Sequence, residues 1–141
     1  MKPLFAALCA AALAACAAAP ETPMPEESAA RCAVIESSNW NAWINAMPGP
    51  GAERTLHVTG QITLPTPGYT VTLREGPADR SAVPVQQLIL DLTPPSGMVS
   101  QVIVTQEIAY QGPAIAQQYR AVRVMCAGTQ LAEITEIITA H

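Results

Sequence analysis

The residues able to carry chemistry in this chain are few, and their spacing argues against catalysis. His57 and His141 are the only imidazoles. His57 sits between Leu56 and Val58 in an alternating run, which predicts a solvated side chain on the polar face of a strand, and His141 ends the chain. A Ser-His-Asp arrangement would have to join His57 to Asp79 or Asp91, and no Gly-x-Ser-x-Gly elbow offers a nucleophile. Met47, Met98 and Met125 are soft donors of the kind copper selects. They lack a His-x-Met or Met-x-x-Met cluster, so they read as gap-filling thioethers. The carboxylate pair Glu26-Glu27 stands among prolines, where no burial raises a pKa. Arg74, Arg120 and Arg123 could meet an anionic group on a sheet face, but strand arginines more commonly guard edges or form surface pairs. The expectation is a protein that is not an enzyme and holds neither metal nor cofactor.

The aromatic residues are more suggestive. Both tryptophans, Trp40 and Trp43, lead directly into Met47-Pro48-Gly49-Pro50-Gly51. Trp40, Trp43, Ile44 and Met47 fit one face of a helix capped by Ser37 or Ser38, whereas Trp40, Ala42, Ile44 and Ala46 fit the apolar face of a strand. The strand is the favoured reading. It turns Trp40 inward and Trp43 outward, where tryptophan is a frequent anchor for a protein or a glycan. The competing expectation is that both rings plug the core or pack on a disulfide, as tryptophan does in many sandwiches. Candidate partner-binding residues are therefore Trp43, Met47 and Pro48, with Pro67, Tyr69 and Pro95 from two further Pro-Gly loops.

These residues would be positioned by strands. Leu56, Val58, Ile62 and Leu64 alternate with His57, Thr59, Gln61 and Thr63, and Gly60 falls on the apolar side. Tyr69, Val71 and Leu73 repeat the period, as do Leu88, Leu90 and Leu92, a run from Met98 to Tyr110 bearing Val102, Val104 and Ile108, and Val122, Val124 and Cys126. Ala132 and Ile134 open a last strand, where the crowding of Ile134, Ile137 and Ile138 predicts a bulge or a frayed end. Pro65-Thr66-Pro67-Gly68, Pro94-Pro95-Ser96-Gly97 and Ala127-Gly128-Thr129 supply turns. The expected fold is all-β: an antiparallel β-sandwich of about seven strands, an immunoglobulin-like number, spanning 31–141.

The N-terminus carries the address. Met1-Lys2-Pro3 is a short positive region, and Leu4 to Ala15 is apolar over a length typical of secretory leaders and too short for a membrane span. Leu13-Ala14-Ala15-Cys16 resembles the lipobox of bacterial lipoprotein precursors, which implies a signal peptide over 1–15, cleavage before Cys16 and diacylglycerol on its sulfur. The rival is an ordinary cleaved leader. Residue 17 is Ala, where an Asp favours inner-membrane retention in enteric bacteria; the resemblance thus implies an outer-membrane anchor facing the periplasm. In residues 16–30, Pro20, Pro23 and Pro25 interleave with Glu21, Glu26 and Glu27, as expected for a flexible, semi-extended tether. With Cys16 lipidated, Cys32 and Cys126 remain as a pair in an oxidising compartment, and a disulfide is the simplest expectation, with two buried thiols as its alternative. A net charge of −4, more negative still once Lys2 leaves with the leader, argues against nucleic acid as a partner.

Taken in order, Trp40-Asn41-Ala42-Trp43, the Met47 to Gly51 turn, Val58-Thr59-Gly60, Leu64 to Tyr69, Leu92 to Gly97 and Val124 to Gly128 are similar to a group of small envelope lipoproteins of proteobacteria. The resemblance implies no activity and transfers no functional residue. The expected function is a non-catalytic, membrane-tethered module that binds an envelope protein or glycan or contributes to envelope structure. The alternative is a periplasmic inhibitor of a protease or lysozyme-like hydrolase, presenting rigid proline loops whose ordering cost on binding is low.

Overall fold

The computed structural model describes residues 31–141, an all-β domain without a helix. The signal peptide, Cys16 and the tether fall within residues 1–30 and lie outside the described residues. Eight strands form two sheets: β1 (Glu36–Asn45), β2 (Thr55–Leu64), β3 (Thr70–Ala78), β4 (Val85–Thr93), β5 (Val104–Pro113), β6 (Ala121–Cys126), β7 (Thr129–Ile134) and β8 (Ile137–Ala140). The first sheet has the order β5-β2-β1-β8 and the second β3-β4-β6-β7. Most neighbours are antiparallel, but β1 with β8 and β4 with β6 are parallel, so both sheets are mixed rather than purely antiparallel.

The core follows from the period-two pattern. Leu56, Val58, Ile62 and Leu64 of β2, Leu88 and Leu90 of β4, and Val122, Val124 and Cys126 of β6 are buried, and the residues alternating with them are more exposed; only Ala121, at the start of β6, is buried out of phase. Residues 39–47 resolve in favour of the strand, since β1 runs through them to Asn45. That stretch opens on a bulge. Ser38 pairs with Gln61 and Asn41 with Thr59, so Asn39 and Trp40 together oppose Gly60. Asn39 takes φ 54°, a left-handed conformation that asparagine tolerates better than most residues. One added residue inverts the alternation, and from here Trp40, Ala42 and Ile44 face the core while Trp43 faces out.

Three expectations are corrected. The sandwich has eight strands, because the segment read as one last strand is two: β7 ends at the buried Ile134 in the second sheet, and after Thr135-Glu136 the chain enters the first sheet as β8. The crowded isoleucines mark this change of sheet. The run expected from Met98 to Tyr110 becomes a strand only at Val104; Met98, Val102 and Ile103 are exposed in the preceding loop. Tyr69 precedes β3, which starts at Thr70.

Cys32 and Cys126 are joined, with Cα atoms 5.4 Å apart, and fasten the segment ahead of β1 to the end of β6. At the other end of the sandwich the Tyr119 ring is buried, and its hydroxyl accepts a 2.8 Å hydrogen bond from the Ile115 N–H, holding the turn between β5 and β6. Buried Gln86 answers a second bulge, between Glu75 and Ala78 of β3: its amide donates to the carbonyls of Gly76 and Gln87, both at 2.9 Å. Pro77, which has no N–H to lose, sits within that bulge.

Candidate binding face

The outward face of the first sheet gathers the aromatic candidate. On β1 Trp43 lies directly opposite His57 of β2, and the two rings stack with centroids 5.1 Å apart and planes 5° from parallel. Registers continue the row to Gln111 on β5 and to Ile138 on β8. Ile138 is 71% exposed. The His57 Nε2 is 2.9 Å from the Thr55 hydroxyl, which fixes the ring on its side of the stack. Trp43 thus stands half-buried between an imidazole and an isoleucine, with its outer edge toward solvent.

Beside this row the face is polar but nearly uncharged. The Asn39 amide donates to Gln61 Oε1 at 2.7 Å, and the Gln61 amide donates to Glu107 Oε1 at 3.3 Å. The Asn41 amide donates to the Asn39 carbonyl at 3.2 Å, closing the bulge on itself. These side chains, with Thr59 and Ala109, border an open depression of about 400 Å³. Amides, hydroxyls, one carboxylate and an aromatic row suit a partner recognised by hydrogen bonds and apolar contact.

The opposite face has a different character. Arg74 pairs with Asp91, Arg123 with Glu133 at 3.4 Å, and Arg120, in the turn before β6, with Asp79 at 3.1 Å. The three arginines are thereby engaged by carboxylates, in the surface pairs favoured from sequence. The Ser81 hydroxyl, 2.6 Å from Asp79 Oδ1, is the main cause that holds the Asp79 carboxyl below its ordinary pKa, with backbone N–H donors and Arg120 adding to it. His57 lies on the outer face of the first sheet, while Asp91 belongs to the second sheet and Asp79 to the β3–β4 loop; the members of a Ser-His-Asp site are not brought together. Met47, Met98 and Met125 are separated as well, in the β1–β2 loop, in the β4–β5 loop and on β6.

The remaining candidates divide between the two ends. Met47 and Pro48 occupy the β1–β2 loop, where the Met47 N–H donates to Asn45 Oδ1 at 3.1 Å. Pro67, Tyr69 and Pro95 occupy the opposite end, and there two loops touch: a Cβ on Gly68 would lie 3.0 Å from that of Pro95. Gly68 has φ 88°, which only glycine adopts without strain. Tyr69 packs against the core. Sequence reasoning reached Trp43 and its direction but missed His57, Ile138 and the Asn39-Gln61-Glu107 chain as its neighbours. The available signal was that Trp43 and His57 both take the outward phase of strands joined by one hairpin. Comparison with family models, curated proteins and solved structures gave no match.

Proposed function

We propose that this chain is a lipid-anchored, non-catalytic binding module of the cell envelope, held at Cys16 to the outer membrane on its periplasmic side, and that the outer face of its first sheet receives an envelope protein or glycan. The observation that carries this reading is the Ile138-Trp43-His57 row on a face with little charge, set against a second face whose cations are already paired. A half-buried tryptophan flanked by hydrogen-bonding side chains resembles the aromatic anchors that dominate many interfaces. Hydrolase inhibition through proline loops draws less support, because the Pro48 loop lies at the far end from the Pro67 and Pro95 loops.

The test uses the lipidated protein solubilised from envelope. Trp43→Ala removes a stacking pair worth about 1 kcal/mol beyond the area the half-buried ring covers, so capture is compared well below the melting transition of each variant, where loss of an interface anchor costs about 2 kcal/mol or more of binding. The variant should lose the species that the parent captures, and Arg74→Ala, on the other face, should keep it. Identical capture by all three proteins would remove the proposed face. Cys16→Ala, assayed separately, should abolish partitioning into the detergent phase; unchanged partitioning would remove the anchor.

A further inference from the structure

We propose that the end of the sandwich from which the N-terminal segment leaves is a membrane-contacting tip, which lays Ile35, Met98, Val102 and Ile103 against the lipid headgroup and acyl boundary. The inference rests on the lipid anchor at Cys16 proposed above.

Strand pairing defines this end. Leu64, Val104, Thr70 and Thr93 mark the strand termini there, with Leu64 opposite Val104 and Thr70 opposite Thr93. The Cys32–Cys126 bridge lies at the same end, and the Ile35 N–H bonds to the Thr63 carbonyl at 2.8 Å, so the chain enters the domain here. Three connections form the tip: 65–69, 94–103 and 127–128. None contains an Asp, Glu, Lys or Arg, and Arg31 and Glu36 stand at its margin. The loops of the other end carry Glu53, Arg54, Asp79, Arg80, Arg120 and Glu136.

Exposed apolar side chains occur at both ends, so charge is what separates them. The far-end loops that expose Met47, Val83 and Ile115 also carry ionised side chains, Glu53 and Arg54, Asp79 and Arg80, and Arg120 respectively, as a solvated loop surface requires. At the tip Met98 is fully exposed and Val102 and Ile103 more than half exposed, within ten consecutive uncharged residues. That loop is braced, since Pro95 and Val99 pack beside Gly68. Rigid, uncharged, apolar loops lose little on leaving water and gain from burial at an interface. Geometry selects lipid as the occupant. The chain enters the domain at this end, so an anchor at Cys16 joins it through a stretch of at most about 50 Å when extended, while the charged end lies a further strand length, about 30 Å, away.

The test places a fluorophore at each end of the lipidated full chain, reconstituted into phosphatidylethanolamine and phosphatidylglycerol vesicles containing a phosphatidylcholine brominated on its acyl chains. Met98→Trp should add blue-shifted emission that loses about half its intensity to the bromolipid, whereas the added emission of Val83→Trp should be untouched, each read as a difference from the parent. Vesicle flotation reads the anchor independently. A Met98→Trp protein that floats but whose added emission is unquenched overturns the membrane tip and leaves the anchor standing. Emission that blue-shifts with protein density but ignores bromolipid overturns it in favour of a second copy of the chain. A chain that carries no lipid and does not float overturns both readings.

Discussion

Replacing Gly60 by alanine should destabilise the domain through one contact. A Cβ built on Gly60 would lie 2.3, 2.5 and 2.6 Å from Cε3, Cδ2 and Cζ3 of Trp40, against the ~3.5 to 4.0 Å at which carbons attract. The atoms in the way belong to a fused ring, so the indole must move as a body by more than about 1 Å. It has no hydrogen bond to guide or resist that movement, since its buried Nε1 lacks a partner, and it is held by shape alone. Overpacking of this kind costs about 1 to 3 kcal/mol, and complete expulsion of the ring would approach the ~3 to 5 kcal/mol of a Trp→Ala change. The opposing effect is small: Gly60 has no positive φ, so alanine there restrains the unfolded chain and on its own would stabilise by about 0.4 to 1 kcal/mol. The net expectation is a loss of about 2 kcal/mol, or about 8 °C in melting temperature for a domain of this size. Urea unfolding of Gly60→Ala, Trp40→Ala and the double variant reads the contact as a coupling energy. In the Trp40→Ala background the alanine should become neutral or slightly stabilising. A single Gly60→Ala variant that melts at or above the parent, or a cost that persists without the indole, would refute the packing argument.

The Cys32–Cys126 bridge spans 94 positions, and Cys126→Ala should cost about 2 to 5 kcal/mol. Neither sulfur should alkylate in the native protein before reduction; two freely labelled thiols would contradict the bridge. Tyr119→Phe leaves the Ile115 N–H without its acceptor and should cost about 1 to 2 kcal/mol in urea unfolding. Burial raises the phenol pKa of both Tyr119 and Tyr110, so the folded state holds those protons more tightly than the unfolded chain does. Their stabilisation is complete below the unfolded value near 10 and is lost as pH rises through the folded values. Melting temperature should therefore fall above about pH 10, and phenolate absorbance should lag that of free tyrosine; tyrosines that titrate normally would remove the effect.

The sandwich class was legible because burial on one face writes a period of two into β2, β4 and β6, and because the paired cysteines needed only a compartment to join them. The strand count was not. Ile134, Ile137 and Ile138 satisfy no single alternation, since two residues between them carry the chain from one sheet to the other. Parallel pairing escaped for a related reason: it is set by which strands become neighbours across the sandwich, and local pattern is silent on that. The apolar residues Met98, Val102 and Ile103 mimic a strand, yet the ladder with β2 begins only where Val104 meets Leu64, the last residue of β2.

Trp43 shows how far a local rule can reach toward a site. Its outward direction needed only the inward phase of Trp40, which the three residues between Trp40 and Ile44 supply. Its surroundings depended on register, and register depends on the bulge at Asn39 and Trp40, where one extra residue inverts the faces of β1. Upstream of the bulge Ser37 shares the side of Ile62; downstream Ala42 shares the side of Val58. Gly60 links the two halves, because the absence of its Cβ admits the indole that the bulge turns inward, and in the register that follows the bulge Trp43 meets His57. The core contact and the candidate binding face are thus set by the same irregularity, so Asn39, four residues ahead of Trp43 and outside the stack, belongs to the positioning of both.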